Sequence, residues 1–125
     1  MILGIGIDHI EVERVKARIN DNEGLREKLF TPREIEYCES KKFAAQHYAA
    51  RFAAKEAFFK AVGTGWRNGM AFDEVEITND DLGRPDLVLH GRAGKTIREN
   101  EVTNIQVSLS HTKDFASAIV TLEKI

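Results

Sequence analysis

The chain is expected to fold as an α+β domain: a largely antiparallel sheet with one long central helix and shorter helices packed on one side of it. Three observations predict this. The order along the chain is strand, then helices, then strands. Residues 43–62 hold a long, alanine-rich helical pattern closed by Gly63. The last two strand-like runs are joined by HTKD, a connection short enough to pair them as an antiparallel hairpin. At 125 residues the chain suits one core and not two, so residues 1–125 are expected to form a single domain.

Each element has its own warrant. The opening ILGIGID reads as a strand in which side chains alternate, with Leu3, Ile5 and Ile7 on one face and Ile2, Gly4, Gly6 and Asp8 on the other. The apolar face is expected to pack. The glycine face is nearly bare, which marks a place where a ligand or another backbone comes close, and it puts Asp8 at the rim of a cleft. Residues 11–19 carry Val12, Val15 and Ile19 at helical spacing, with Glu11 and Glu13 first, where the helix dipole favours them. NDNEG breaks that helix, and residues 25–30 add a helical turn. Thr31-Pro32-Arg33-Glu34 spells a capping box with proline at the first helical position, so a second helix starts at Pro32 and runs towards Ser40. After the long helix, FDEVEIT and PDLVLH read as strands joined by the turn NDDLGRP. GRAGKTIREN is a short helix or an irregular crossing, and NIQVSLS with FASAIVTLE forms the closing hairpin.

Composition removes several classes of function. With 18 Lys+Arg against 20 Asp+Glu, the net charge of −2 gives no support to nucleic-acid binding, so an anionic partner must be met by a local patch. The single cysteine, Cys38, makes neither an intramolecular disulfide nor a zinc site alone, and no apolar run approaches a membrane span. The apolar start is interrupted by Asp8, unlike a signal peptide. A cytoplasmic protein with no membrane partner is expected.

The chemistry concentrates in RFAAKEAFFKAVGTG, residues 51–65. Glu56 and Lys60 are neighbours one turn apart, flanked by Phe52, Ala53 and Phe59, while Phe58, Val62 and Ala54 face another side. The helix is apolar in two directions and is expected to be covered on both. An intrahelical Glu56–Lys60 ion pair is the plain reading, worth about 0.2 to 0.5 kcal/mol when exposed. A partly desolvated carboxylate asks for more than one ammonium beside phenylalanines, and a hard cation such as Mg²⁺ held by Asp8 and Glu56 answers that need. Gly63-Thr64-Gly65 is either a helix C-cap or a loop whose amides approach a phosphate. Arg51, Lys55 and Lys60 are either a solvated helix edge or cations for oxyanions, Lys60 foremost.

GIGIDHIEVERV at residues 4–15, FTPRE at 30–34, RFAAKEAFFKAVGTG at 51–65 and the tail VSLSHTKDFASAIV resemble, in order and spacing, the holo-acyl-carrier-protein synthases. These are the short bacterial type of 4′-phosphopantetheinyl transferase, and the resemblance covers nearly the full chain. It implies that family's fold and its reaction: the phosphopantetheine arm of coenzyme A moves to a serine of an apo acyl carrier protein, in support of fatty acid biosynthesis. Adenosine 3′,5′-bisphosphate is left, and Mg²⁺ is the cofactor. By resemblance Asp8 and Glu56 are the metal ligands, and Lys60 lies near the phosphates. Arg51 and the loop Gly63, Thr64, Gly65 fall near coenzyme A, and His111 with Thr112 near the nucleotide. A homotrimer with active sites between subunits is also implied.

For the serine proton, Glu56 or a metal-bound water it positions is the preferred base, with Asp8 the competitor. Carrier proteins of this kind are acidic, and Arg14 and Arg18, one turn apart, are expected to meet them, extended by Lys16 and Arg26. His9, His47 and His90 are read as surface or locally satisfied, Trp66 is given no role, and Glu34 is read first as a helix cap. Two rivals are a magnesium-dependent phosphohydrolase and a non-catalytic nucleotide-binding protein.

Overall fold

Local sequence preferences and the observed elements agree closely. In the computed structural model, which describes residues 1–21, 23–63 and 69–125, strand β1 (Ile2–Glu11) leads directly into helix α1 (Val12–Ile19). A short helix α2 (Leu25–Leu29) follows, then α3 (Pro32–Glu39), whose capping box is fully made: Thr31 Oγ1 accepts from Glu34 N, and Glu34 Oε1 accepts from Thr31 N at 3.0 Å. Helix α4 (Ala44–Val62) ends on Gly63, which takes the left-handed conformation at φ 90° and donates its amide to Phe59 O. A 3₁₀ turn (Phe72–Glu74) opens the hairpin of β2 (Val75–Asn79) and β3 (Pro85–Leu89). The segment left open between helix and crossing is a regular helix, α5 (Gly91–Glu99), and β4 (Asn104–His111) and β5 (Phe115–Glu123) close the chain.

Among the described residues the strands form two antiparallel sheets, one of order β1-β5-β4 and one of β2-β3. In the larger sheet Gly6 pairs with Val120 and Asp8 with Ala118. Helix α4 crosses one face of it, and the core divides around that helix. Phe58, Phe59, Val75, Ile77 and Val120 pack in one cluster, while Val15, Phe30, Tyr48 and Phe52 pack in another towards α1, α2 and α3. The expectation that α4 is covered in two directions holds.

The assignment of the two faces of β1 is corrected. The glycine face is the one that packs. A Cβ on Gly6 would overlap the carbonyl oxygen of Ala57, and one on Gly4 that of Ala61, so the bare face is the groove into which the α4 backbone settles. Leu3, Ile5 and Ile7 point away from the helix, Ile5 57% and Ile7 63% exposed. Phe115 and Ile119 of β5 join them on the same outer face, which stays apolar and uncovered.

Because the atoms met at Gly6 are helix backbone and cannot rotate away, Gly6→Ala is expected to destabilise the fold by about 1 to 3 kcal/mol, the range for overpacking. Urea unfolding reads this directly, and an unshifted midpoint would contradict the close packing of α4 on β1.

Candidate active site

The close approach of α4 to β1 sets the geometry of the site. Asp8 stands two residues beyond Gly6, and Glu56 stands one residue before Ala57, so the contact that seats the helix also brings two acidic side chains to one cavity. Lys60 Nζ donates to Asp8 Oδ1 at 3.0 Å and to the Ile7 carbonyl at 3.0 Å. The ammonium therefore bridges helix to strand, and the expected intrahelical pair with Glu56 gives way to this longer-range one. Glu56 is half-buried. Burial pushes its carboxyl above the usual value, the charge of Asp8 pushes it further, and Lys60 and Arg18 pull it partly back.

The cavity encloses about 270 Å³. Asp8 and Glu56 line it with Phe52, and Arg14 and Arg18 of α1 stand on its wall. The arginines expected to serve a protein partner thus line the same cavity as the carboxylates. His9 also lines it, its Nδ1 in a 2.6 Å hydrogen bond with Ser117 Oγ and its ring stacked on Phe115. Nothing in the sequence separated His9 from an ordinary surface histidine. Arg26 is engaged elsewhere, paired with Glu27 at 2.8 Å, and does not extend the patch.

The structure does not bring every expected residue to this place. Arg51 lies about 180° from Lys60 around the helix. It is buried, donates from Nη2 to Asn79 Oδ1 at 2.6 Å and stacks over the Tyr37 ring. Lys55, expected on a solvated edge or among the oxyanion cations, is fully buried in an ion pair with Glu34 at 2.7 Å. His111 donates from Nδ1 to Gln46 Oε1, 2.9 Å away, and packs edge-on against His47, near the start of α4. Thr112 shapes the β4–β5 turn, its amide donating to Phe115 O at 2.8 Å. Gly63 acts as the helix cap, and Thr64, Gly65 and Trp66 lie outside the described residues. His90 is satisfied by Glu76 at 3.0 Å, as expected of a local histidine.

Glu34 is the residue whose role was only partly readable. Its capping box is written in FTPRE, but the same carboxylate also takes Lys55 and, through Oε2, the amide of Ile77 at 3.1 Å. Those partners lie far along the chain, where no local pattern points to them.

A site of two carboxylates and a lysine on a strand–helix contact has relatives of known kind. Residues 4–120 match the family model for the 4'-phosphopantetheinyl transferase superfamily. A protein of Geotalea daltonii named holo-[acyl-carrier-protein] synthase is 47% identical, over 99% of this chain and 100% of that one. Among solved structures, the holo-[acyl-carrier-protein] synthase of Neisseria meningitidis superposes with a TM-score of 0.89 at 33% identity, covering 99% of this chain and 100% of that one. A holo-(acyl-carrier-protein) synthase from Bacillus anthracis, solved in complex with CoA (3',5'-ADP), gives 0.82 at 37% identity, over 100% and 99%. The chain belongs to the 4'-phosphopantetheinyl transferase superfamily.

The raised Glu56 carboxyl makes a signed prediction. A folded state that holds this proton more tightly than the unfolded chain gains stability below the unfolded pKa, and loses that gain as pH rises through the folded one. Melting curves of the ligand-free protein and of Glu56→Gln, taken from about pH 4 to about pH 7, are expected to shift steadily in favour of the glutamine variant. Parallel curves would show that Glu56 ionises without cost.

Proposed function

We propose that Asp8, Glu56 and Lys60 are the reacting cluster of a holo-[acyl-carrier-protein] synthase. The enzyme moves the 4′-phosphopantetheine arm from coenzyme A to a serine of an apo acyl carrier protein. The observation that carries the assignment is the convergence of Asp8 and Glu56, from two elements far apart in sequence, on one cavity with Lys60 against Asp8.

The donor set suits a hard divalent cation. Both carboxylates are oxygen ligands, and Glu56 resists ionising because burial and Asp8 outweigh Lys60 and Arg18. Among the described residues no third His, Cys, Asp or Glu joins them. Two carboxylates, with substrate phosphates and water completing the shell, are the usual protein share of a Mg²⁺ site. Asp8 and Glu56 would hold it, and when bound it supplies neutralisation of charge on the diphosphate oxygens. The protein's own groups do the rest. The serine oxygen forms a bond to the β-phosphorus of coenzyme A, the bond from that phosphorus to the bridging oxygen breaks, and adenosine 3′,5′-bisphosphate leaves with the electron pair. Glu56, on the cavity wall with Asp8, is the group assigned to take the serine proton. Lys60 balances charge that builds on the phosphoryl oxygens. Arg14 and Arg18, exposed on the cavity wall, receive the acidic carrier.

We further read the working unit as a homotrimer in the cytoplasm with sites between subunits. Two features support assembly. The outer sheet face of Leu3, Ile5, Ile7, Phe115 and Ile119 is an apolar surface of the kind that other chains cover. His111 and Thr112 stand near the start of α4 and in the β4–β5 turn, not on the cavity that Asp8 and Glu56 line, and in a trimer a neighbouring copy would bring its own pair to that cavity. Among the described residues no helix is long and apolar enough to cross a membrane. Burial pushes the lone Cys38 thiol up to about 12, which leaves it inert in a reducing compartment.

Mass spectrometry of an apo carrier protein after incubation with coenzyme A and Mg²⁺ is expected to show the added arm. Glu56→Gln should abolish it, while charge reversal at Arg14 weakens carrier binding and spares coenzyme A affinity. Release of bisphosphate without carrier would favour a hydrolase instead. For assembly, Ile119→Glu places a charge in the apolar face and is expected to give a monomer by sedimentation, with transfer lost; an unchanged sedimenting mass would place the contact elsewhere.

A further inference from the structure

Helix α4 poses a problem of orientation. Its buried residues include Ala49, Ala50, Ala53, Ala54, Ala57, Phe58, Phe59 and Ala61, which lie on every side of it. Hydrophobic burial has little direction of its own, and turning the helix by one residue exchanges alanine for alanine at Ala49/Ala50 and Ala53/Ala54, although it would bring Glu56 or Phe58 to the Gly6 groove in place of Ala57. The same turn would swing Glu56 by about 100°. The glycine groove and the buried aromatic residues disfavour such a turn, and a directional polar contact on the far side fixes the rotation more sharply.

The directional group on this helix is Lys55. It is completely buried, and each of its three donors meets a fixed acceptor: Glu34 Oε1 at 2.7 Å, Phe72 O at 2.9 Å and Val75 O at 2.7 Å. Glu34 is itself held from both sides, since Thr31 N donates to Oε1 at 3.0 Å and Ile77 N to Oε2 at 3.1 Å. The anchor therefore ties α4 at once to the cap of α3, to the 3₁₀ turn and to β2. Arg51, one turn earlier on the same side, adds its bond to Asn79. Around the helix, Lys55 is separated by about 200° from Ala57, which faces Gly6. Glu56 and Lys60 fall between those two directions, at about 100° and 140° from Lys55. A glycine groove on one flank and a saturated ammonium on the other enclose the sector that carries the site.

We propose that the buried Lys55–Glu34 pair is a positioning device for the transfer reaction, fixing the rotation of α4 that turns Glu56 and Lys60 towards Asp8. The pair touches neither substrate nor metal and acts through the helix. This inference rests on the reading of Asp8, Glu56 and Lys60 as the reacting cluster.

The deciding variant is Glu34→Gln with Lys55→Met, which replaces the charged pair by side chains of similar length. Such exchanges are tolerated far better than loss of one partner. The double variant is expected to melt cooperatively, with kcat for arm transfer down at least about tenfold and KM for coenzyme A within about twofold. The Mg²⁺ concentration that gives half of the maximal thermal stabilisation, read without coenzyme A or carrier, should rise severalfold. Wild-type values of kcat per folded molecule and of that Mg²⁺ midpoint would overturn the proposal. If the double variant does not fold, Glu34→Asp keeps the charge and withdraws it by one methylene. It is expected to stay folded with a raised Mg²⁺ midpoint and lowered kcat, and an unchanged pair of values there overturns the proposal equally. Failure of the wild-type protein to transfer the arm would strike the functional reading instead, while the Mg²⁺ midpoints still judge the positioning.

Discussion

The architecture depends on one close contact, the α4 backbone lying in the groove left by Gly4 and Gly6 of β1. Any side chain at these positions would meet the carbonyls of Ala57 and Ala61. Because Asp8 follows Gly6 by two residues and Glu56 precedes Ala57 by one, the closeness of strand and helix is also the closeness of the two carboxylates. The alanines on the facing side of α4 serve the same end. Small residues bury little area each, and the fold recovers packing through Phe58, Phe59 and Val120 in the layer around the contact and through dispersion at short range. A larger residue at any of these places would add apolar area and lose the geometry.

That geometry makes the ligand-free protein electrostatically unfavourable where it matters. Two carboxylates share a half-enclosed cavity, and the cation nearest to them, Lys60, is committed to Asp8 and to the Ile7 carbonyl. Arg14 and Arg18 stand on the wall, close enough to shape the potential and exposed enough to meet a partner. The carboxylates are close enough to raise Glu56, and the cations that offset them are shared with the Ile7 carbonyl and with solvent.

Much of the fold was legible because its signals are local. The capping box of Thr31 and Glu34, the glycine stop at Gly63 and the two hairpins each depend on residues a few positions apart. Asp8, Glu56 and Lys60 were also legible as a set, Glu56 and Lys60 from helical spacing and Asp8 from its place at the end of the glycine face of β1. What failed did so for a physical reason. Alternation in β1 separates two faces but does not say which one the protomer buries. The apolar face was taken as the inner one, whereas the glycine face is inside and Ile5 and Ile7 are outside. Lys55 and Arg51 were read as a solvated helix edge or as cations for oxyanions, and both are buried, because helical spacing alone cannot show that Glu34, Asn79 and two carbonyls of residues 72 and 75 surround them.

The two polar systems on α4 show how burial separates support from chemistry. Around Lys55 every donor is matched, and Glu34 is filled by two amides besides the ammonium, so the group has nothing left to offer a ligand and a clear cost if disturbed. Burial lowers the Lys55 pKa, and Glu34 opposes that shift. Glu56, the next residue, has the opposite balance. Its shift is set by desolvation and by a like charge, and no hydrogen bond among the described residues offsets them. Adjacent residues on one helix thus carry a saturated anchor and an unsaturated carboxylate. The first can be spent on holding the backbone still because it is complete, and the second can accept a proton or a cation because it is not. A helix of alanines lets both exist side by side, since it imposes no orientation that competes with the anchor and no bulk that closes the cavity.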